Sequence, residues 1–162
     1  IAAGNIFTGT FERDGMGGIL TLGRNFECRP NKLKGYYKYT SAKVSVSKGH
    51  LNEGEDDLCS LYIALTDEQI TVNTNKGIYF DPNSSAVIAY GSISDEESKG
   101  ADSFKEFTVD LEYKDLKRIP KYIIVVASSS KYGDYMEGGK GSTMWLDDLE
   151  LVYPKSMEEV RK

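Results

Sequence analysis

The stretch 122–153 constrains this chain more than any other part of it, because it joins two strand patterns that need different surroundings. The first, Tyr122-Ile123-Ile124-Val125-Val126-Ala127, is apolar on both parities. Such a strand is covered on both faces, as in the interior of a layered β structure. In the second, 143–153, Met144 and Leu146 share one parity whereas Leu149, Leu151 and Tyr153 share the other. Strand side chains alternate with a period of two, so all of these reach one core only if an extra residue intervenes. A β-bulge at Asp147-Asp148 would supply it. Between the two strands lies 128–142, a loop rich in Gly and Ser that also carries Tyr132, Asp134, Tyr135 and Glu137.

The rest of the chain is written in the same language. Strand patterns occur at 5–12, 19–26, 34–47, 58–66, 86–94 and 103–112, and no segment has a helical period. Loops rich in Gly, Asn, Asp and Ser separate them at 14–18, 49–57, 73–85 and 95–102. With 162 residues and no shift of composition, these predict an all-β fold, an antiparallel β-sandwich or jelly roll. The domain is expected to span 1–154, with 155–162 as a tail that forms a helical turn or is disordered. Starting at Ile1 without a signal-like segment, the chain reads as a trimmed or mature fragment.

Several function classes are excluded. A net charge of −5 with scattered basic residues argues against nucleic acid, whose phosphates need clustered Lys and Arg. No apolar run is long enough to span a membrane. The densest basic group, Lys114, Lys117, Arg118 and Lys121, reads as a solvated face near a turn. Cys28 and Cys59 lack metal-site spacing, so structural zinc is excluded; two buried free thiols are favoured over a disulfide. Gly138-Gly139-Lys140-Gly141-Ser142-Thr143 lacks Ser or Thr directly after its lysine and precedes a strand, so it is no phosphate loop. With a lone histidine, His50, in a polar loop, and no Gly-x-Ser-x-Gly, a nucleophilic triad is not expected.

Specific stretches resemble a known family. They are Gly4-Asn5-Ile6-Phe7-Thr8-Gly9, Pro30 followed by Leu33-Lys34-Gly35-Tyr36-Tyr37-Lys38-Tyr39, and Ala89-Tyr90-Gly91. Above all they are 127–135, Ala-Ser-Ser-Ser-Lys-Tyr-Gly-Asp-Tyr, with Gly138-Gly139 and 146–153, Leu-Asp-Asp-Leu-Glu-Leu-Val-Tyr. Together, across nearly the whole chain, they are similar to the putative carbohydrate metabolism domain, found at the C-terminal end of secreted or surface lipoproteins of gut anaerobes. The resemblance implies a jelly roll like that of carbohydrate-binding modules. It also implies a secreted or outer-membrane surface location, and a monomer within a longer lipoprotein of glycan utilisation.

Sugars stack their apolar faces on aromatic rings, and their hydroxyls pair with carboxylates and cations. In 128–142, Tyr132 and Tyr135 offer rings, with Asp134 and Lys131 for hydroxyls; the alternative is that the tyrosines fold back on the sheet edge. In 34–39, Tyr37 and Tyr39 share one face and Tyr36 and Lys38 the other; either pair lines a sugar groove, or one of them packs in the core. A structural calcium is a further expectation, held by Asp147 or Asp148 with Asn5 or Glu12, against solvated acids on a bulge. Glu53-Gly54-Glu55-Asp56-Asp57 reads as a charged surface loop.

The function expected is carbohydrate binding without cleavage, its partner an oligo- or polysaccharide. One alternative is a glycoside hydrolase using loop carboxylates such as Asp134 and Glu137. With 25 acidic residues, though, some pair is nearly guaranteed and the signal is unspecific. The other alternative is a structural or adhesive domain that contacts protein, marked by an exposed apolar patch.

Overall fold

The structure, a computed structural model, describes residues 3–156. Its strands are β1 (Asn5–Phe7), β2 (Gly9–Asp14), β3 (Gly17–Leu22), β4 (Arg24–Asn25), β5 (Lys32–Thr40), β6 (Val44–Val46) and β7 (Ser60–Thr66). They continue as β8 (Ile70–Asn73), β9 (Val87–Ser92), β10 (Lys105–Asp110), β11 (Glu112–Tyr113), β12 (Tyr122–Ser128), β13 (Gly138–Gly139) and β14 (Thr143–Val152). Every ladder among them is antiparallel.

The central sheet runs β1-β12-β7-β9-β11, with β4 sharing the β12 edge beside β1. One face packs on the sheet β10-β5-β14, and the core between them holds Leu33, Tyr37, Leu61, Ile63, Phe107 and Ile123. The other face is covered as well. Ala64 and Ile124 pack there against Leu22 and Val72 from the small sheet β2-β3-β8, with Phe80, Tyr62 and Tyr90 at the margin. Apolar residues on both parities of β12 therefore mean what they predicted, coverage on both faces. The expected all-β antiparallel sandwich is present, with this third layer added.

Thr8 is where the first strand changes sheets. Its hydroxyl donates to the Ile123 carbonyl at 3.0 Å and accepts from the Val125 amide at 2.9 Å, which ends the pairing with β12. Gly9 then enters β2, where a Cβ would lie 2.3 Å from the Thr21 carbonyl oxygen, so only glycine allows the crossing.

The bulge in β14 is present. Asp147 pairs with Tyr36 and Glu150 with Lys34, one residue more on β14 than on β5, and Asp148 adopts φ 50°. Its effect on the core is smaller than expected. Met144, Leu146 and Leu151 pack on the core, but Leu149 and Tyr153 remain 48% and 49% exposed. The strand expected at 34–47 breaks after Thr40, β8 is an added strand, and the loop expected at 95–102 opens with a short helix, Asp95–Ser98. The expectation of two buried thiols holds for Cys59 alone; Cys28 is exposed, and both are free. Burial pushes the Cys59 thiol up to about 12, so it stays protonated. No described helix is long and apolar enough to cross a membrane. Residues 157–162 of the expected tail lie outside the described residues.

Candidate functional site

The loop after β12 is pinned by two buried carboxylates. Asp57, 1% exposed, accepts on one oxygen from the Ser130 hydroxyl at 2.6 Å, the Ser142 hydroxyl at 2.8 Å and the Gly139 amide at 2.8 Å. It thereby ties the two ends of the loop together. Glu137, 0% exposed, accepts from the amides of Leu51 at 2.5 Å, Lys48 at 2.8 Å and His50 at 3.3 Å. His50 Nδ1 lies 3.1 Å from the same carboxylate, which only accepts, so that nitrogen carries a proton. Burial raises the Glu137 pKa, but these donors outweigh it and hold the carboxyl below its usual range, as an ionised anchor.

With His50 so fixed, a row of rings assembles. His50 stacks on Tyr132 at 4.4 Å with planes 15° apart, and meets Tyr135 at 4.4 Å on a 50° tilt. Tyr135 in turn stacks on Tyr79 at 4.1 Å. The short 3₁₀ turn Gly133–Tyr135, closed by Met136 at φ 60°, carries Asp134, which lines one cavity together with Tyr62. Tyr62 belongs to a second ring group, stacked on Phe80 at 4.8 Å and tilted against Tyr90 at 5.9 Å. Asp134 is open to solvent on one side and crowded on the other, and that desolvation raises its pKa. Lys131 completes the group, its ammonium 5.9 Å over the Tyr132 ring and 3.1 Å from Asp95. Beside Asp134 a cavity of about 60 Å³ enters between the central sheet and β2-β3-β8.

Of the residues expected to bind sugar, Lys131, Tyr132, Asp134 and Tyr135 come together here. Tyr37 and Tyr39 do not. At 1% and 2% exposed they sit in the core, their hydroxyls donating to the carbonyls of Glu97 and Ser129 at 3.0 Å each, so their face of β5 is the inner one. Tyr36 takes the outer face, 41% exposed, with Trp145 alongside on β14 and Lys38 4.8 Å above the indole ring.

The residues expected to hold calcium lie on different sheets: Asn5 on β1, Glu12 on β2, Asp147 and Asp148 on β14. The Asn5 amide donates to the Ala3 carbonyl, and Asp147 accepts from the Asp148 amide at 2.9 Å. Among the described residues no group of three or more His, Cys, Asp or Glu could hold a metal ion. These donors do not fit a calcium cage.

Sequence reasoning missed His50 and Tyr79 as members of the ring row and Asp57 as a clasp. His50 reads as a polar-loop histidine and Asp57 as part of a charged surface run; nothing local to either marks the contacts that a distant loop makes with it, or the burial of Asp57.

Comparison with known proteins follows the same geometry. The family model of the putative carbohydrate metabolism domain matches residues 1–152. A crystal structure titled as a putative glycoside hydrolase from Bacteroides thetaiotaomicron VPI-5482 is 25% identical, with a TM-score of 0.70. Another so titled, from Bacteroides vulgatus ATCC 8482, is 26% identical, with a TM-score of 0.72. The alignments cover 96% and 93% of this chain but 48% and 64% of those chains, so this chain spans just under half of one relative and less than two thirds of the other. No curated protein matches it.

Proposed function

The chain belongs to the putative carbohydrate metabolism domain family, and from that premise we propose that it binds carbohydrate without cleaving it. The site is the ring row with Asp134 and Lys131. Its faces are largely taken up by mutual stacking, so a glycan meets ring edges and phenol hydroxyls, with the carboxylate and ammonium engaging sugar hydroxyls. The row is rigid before any ligand arrives, because Glu137 holds His50 and Asp57 closes the loop, and this lowers the ordering cost of binding. A secreted or surface setting within a larger glycan-utilising protein suits such a module.

One observation carries the non-catalytic reading. Glycoside hydrolysis uses two carboxyl groups facing each other across the sugar. Of the two loop acids, Asp134 alone lines the cavity beside the ring row, whereas Glu137 is enclosed and saturated with donors. The hydrolase activity for which those relatives are named has room in the parts of their chains beyond the shared region.

A glycan screen with the immobilised chain tests this. A specific polysaccharide should be retained, and Tyr132→Ala with Tyr135→Ala should weaken retention roughly 10-fold or more. Tyr36→Ala with Trp145→Ala should leave it intact. Loss in that second pair alone would move the site to the outer sheet face, and release of reducing sugar would make the chain a hydrolase. With carboxylates this scattered, chelator should not change the result.

A further inference from the structure

The cavity beside Asp134 has two unlike ends. Its inner wall includes Leu22 and Val72, both buried in the contact between the central sheet and β2-β3-β8. Its mouth is marked by Asn5 and Asp134, both exposed. Ser60 and Tyr62 project into it from β7, on the face opposite the main core. Among the described residues, the Ser60 hydroxyl, the Tyr62 hydroxyl and the Asp134 carboxylate make no hydrogen bond to protein. None of them is among the buried side-chain atoms left without a partner, so they keep contact with solvent and are free to take up a ligand's hydrogen bonds. At about 60 Å³ the space takes a few waters or one small substituent, and a sugar ring is too large for it.

We propose, resting on the carbohydrate-binding reading above, that this cavity receives the acetamido group of an N-acetylated sugar whose ring lies against the aromatic row. The chemistry of that group matches the two ends. Its methyl goes to the Leu22 and Val72 wall, its N–H donates to Asp134, and its carbonyl accepts from the hydroxyls of Ser60 and Tyr62. Other sugar substituents match less well. A plain hydroxyl leaves the apolar end unfilled, and a uronate carboxylate meets the charge of Asp134.

The test compares the full chain's affinity for oligosaccharides of N-acetylglucosamine and N-acetylgalactosamine with their 2-hydroxy parents, glucose and galactose oligomers. The N-acetylated member of a pair should bind roughly 10-fold or more tightly, the scale set by a lost methyl group and an unpaired polar site. Ser60→Val fills the space and removes one donor on a strand that tolerates valine, so it should bring the ratio towards one. Thermal denaturation confirms that the variant is folded. Equal affinity within each pair, or a ratio unchanged in Ser60→Val, overturns the acetamido assignment while leaving carbohydrate binding intact. Absence of binding to every glycan in the wider screen overturns both.

Discussion

Glu137 decides the shape of the candidate site without touching its ligand. Three amides and an imidazole converge on one buried carboxylate, and charge-assisted bonds of this kind are the strong ones. Because the folded pKa lies below the ordinary value near ~4.3, the ionised form stabilises the fold above that range. That contribution disappears as pH falls through the folded value. Glu137→Gln places an amide N–H against backbone donors and should cost roughly 2–3 kcal/mol at neutral pH. Thermal melts from pH 7 to pH 3 should show the parent losing stability on the acid side, and the variant losing less. Parallel curves would mean that Glu137 is not the group being titrated. The sequence shows part of this site. Lys131, Tyr132, Asp134 and Tyr135 are legible because one short loop carries them. The Glu137–His50 contact joins positions 87 residues apart, beyond any local pattern. Alternation places Tyr37 and Tyr39 on one face of β5, but only the packing of Phe107, with its ring 5.9 Å from Tyr37, makes that face the inner one.

At the scale of elements, β14 shows how far periodicity carries. The change of parity locates the bulge at Asp147-Asp148, since the extra residue is the only way to keep Leu146 and Leu151 on one side. Periodicity does not reveal that Leu149 spends the bulge reaching over Gly35, half in solvent. Asp148 holds a left-handed conformation that costs most residues about 1 kcal/mol, and aspartate tolerates it better than a β-branched side chain. Asp148→Gly should therefore match or slightly exceed the parent in stability, and Asp148→Val should lose roughly 1–2 kcal/mol. Chemical denaturation reads both, and a stable valine variant would show that the bulge relaxes to another geometry. Two elements escape the pattern for opposite reasons. β8 is too short to show a period, and the helix Asp95–Ser98 carries a capping box between Ser94 and Glu97 but no apolar run behind it.

For the whole molecule, the arrangement of layers sets how it unfolds. β12, β7 and β9 bury side chains on both faces, so neither outer layer can leave without exposing an apolar face of the central sheet. The connection at Thr8-Gly9 strengthens this coupling, because one continuous stretch pairs first with β12 and then with β3. Two layers sharing a third should unfold as one cooperative unit. The single tryptophan, Trp145, reports on the β10-β5-β14 layer, and amide exchange in β3 and β8 reports on the layer across the molecule. Denaturant titrations followed by Trp145 fluorescence and by far-ultraviolet circular dichroism should superimpose. Exchange of the slowest β3 amides should require the same free energy as global opening. Early exchange confined to β2, β3 and β8 would instead make that layer a separate unit. The cavity between it and the central sheet would then open and close independently of the main core, and the acetamido pocket would be formed only part of the time. Cooperative unfolding thus bears directly on the site, because a pocket built between two layers is only as rigid as their contact.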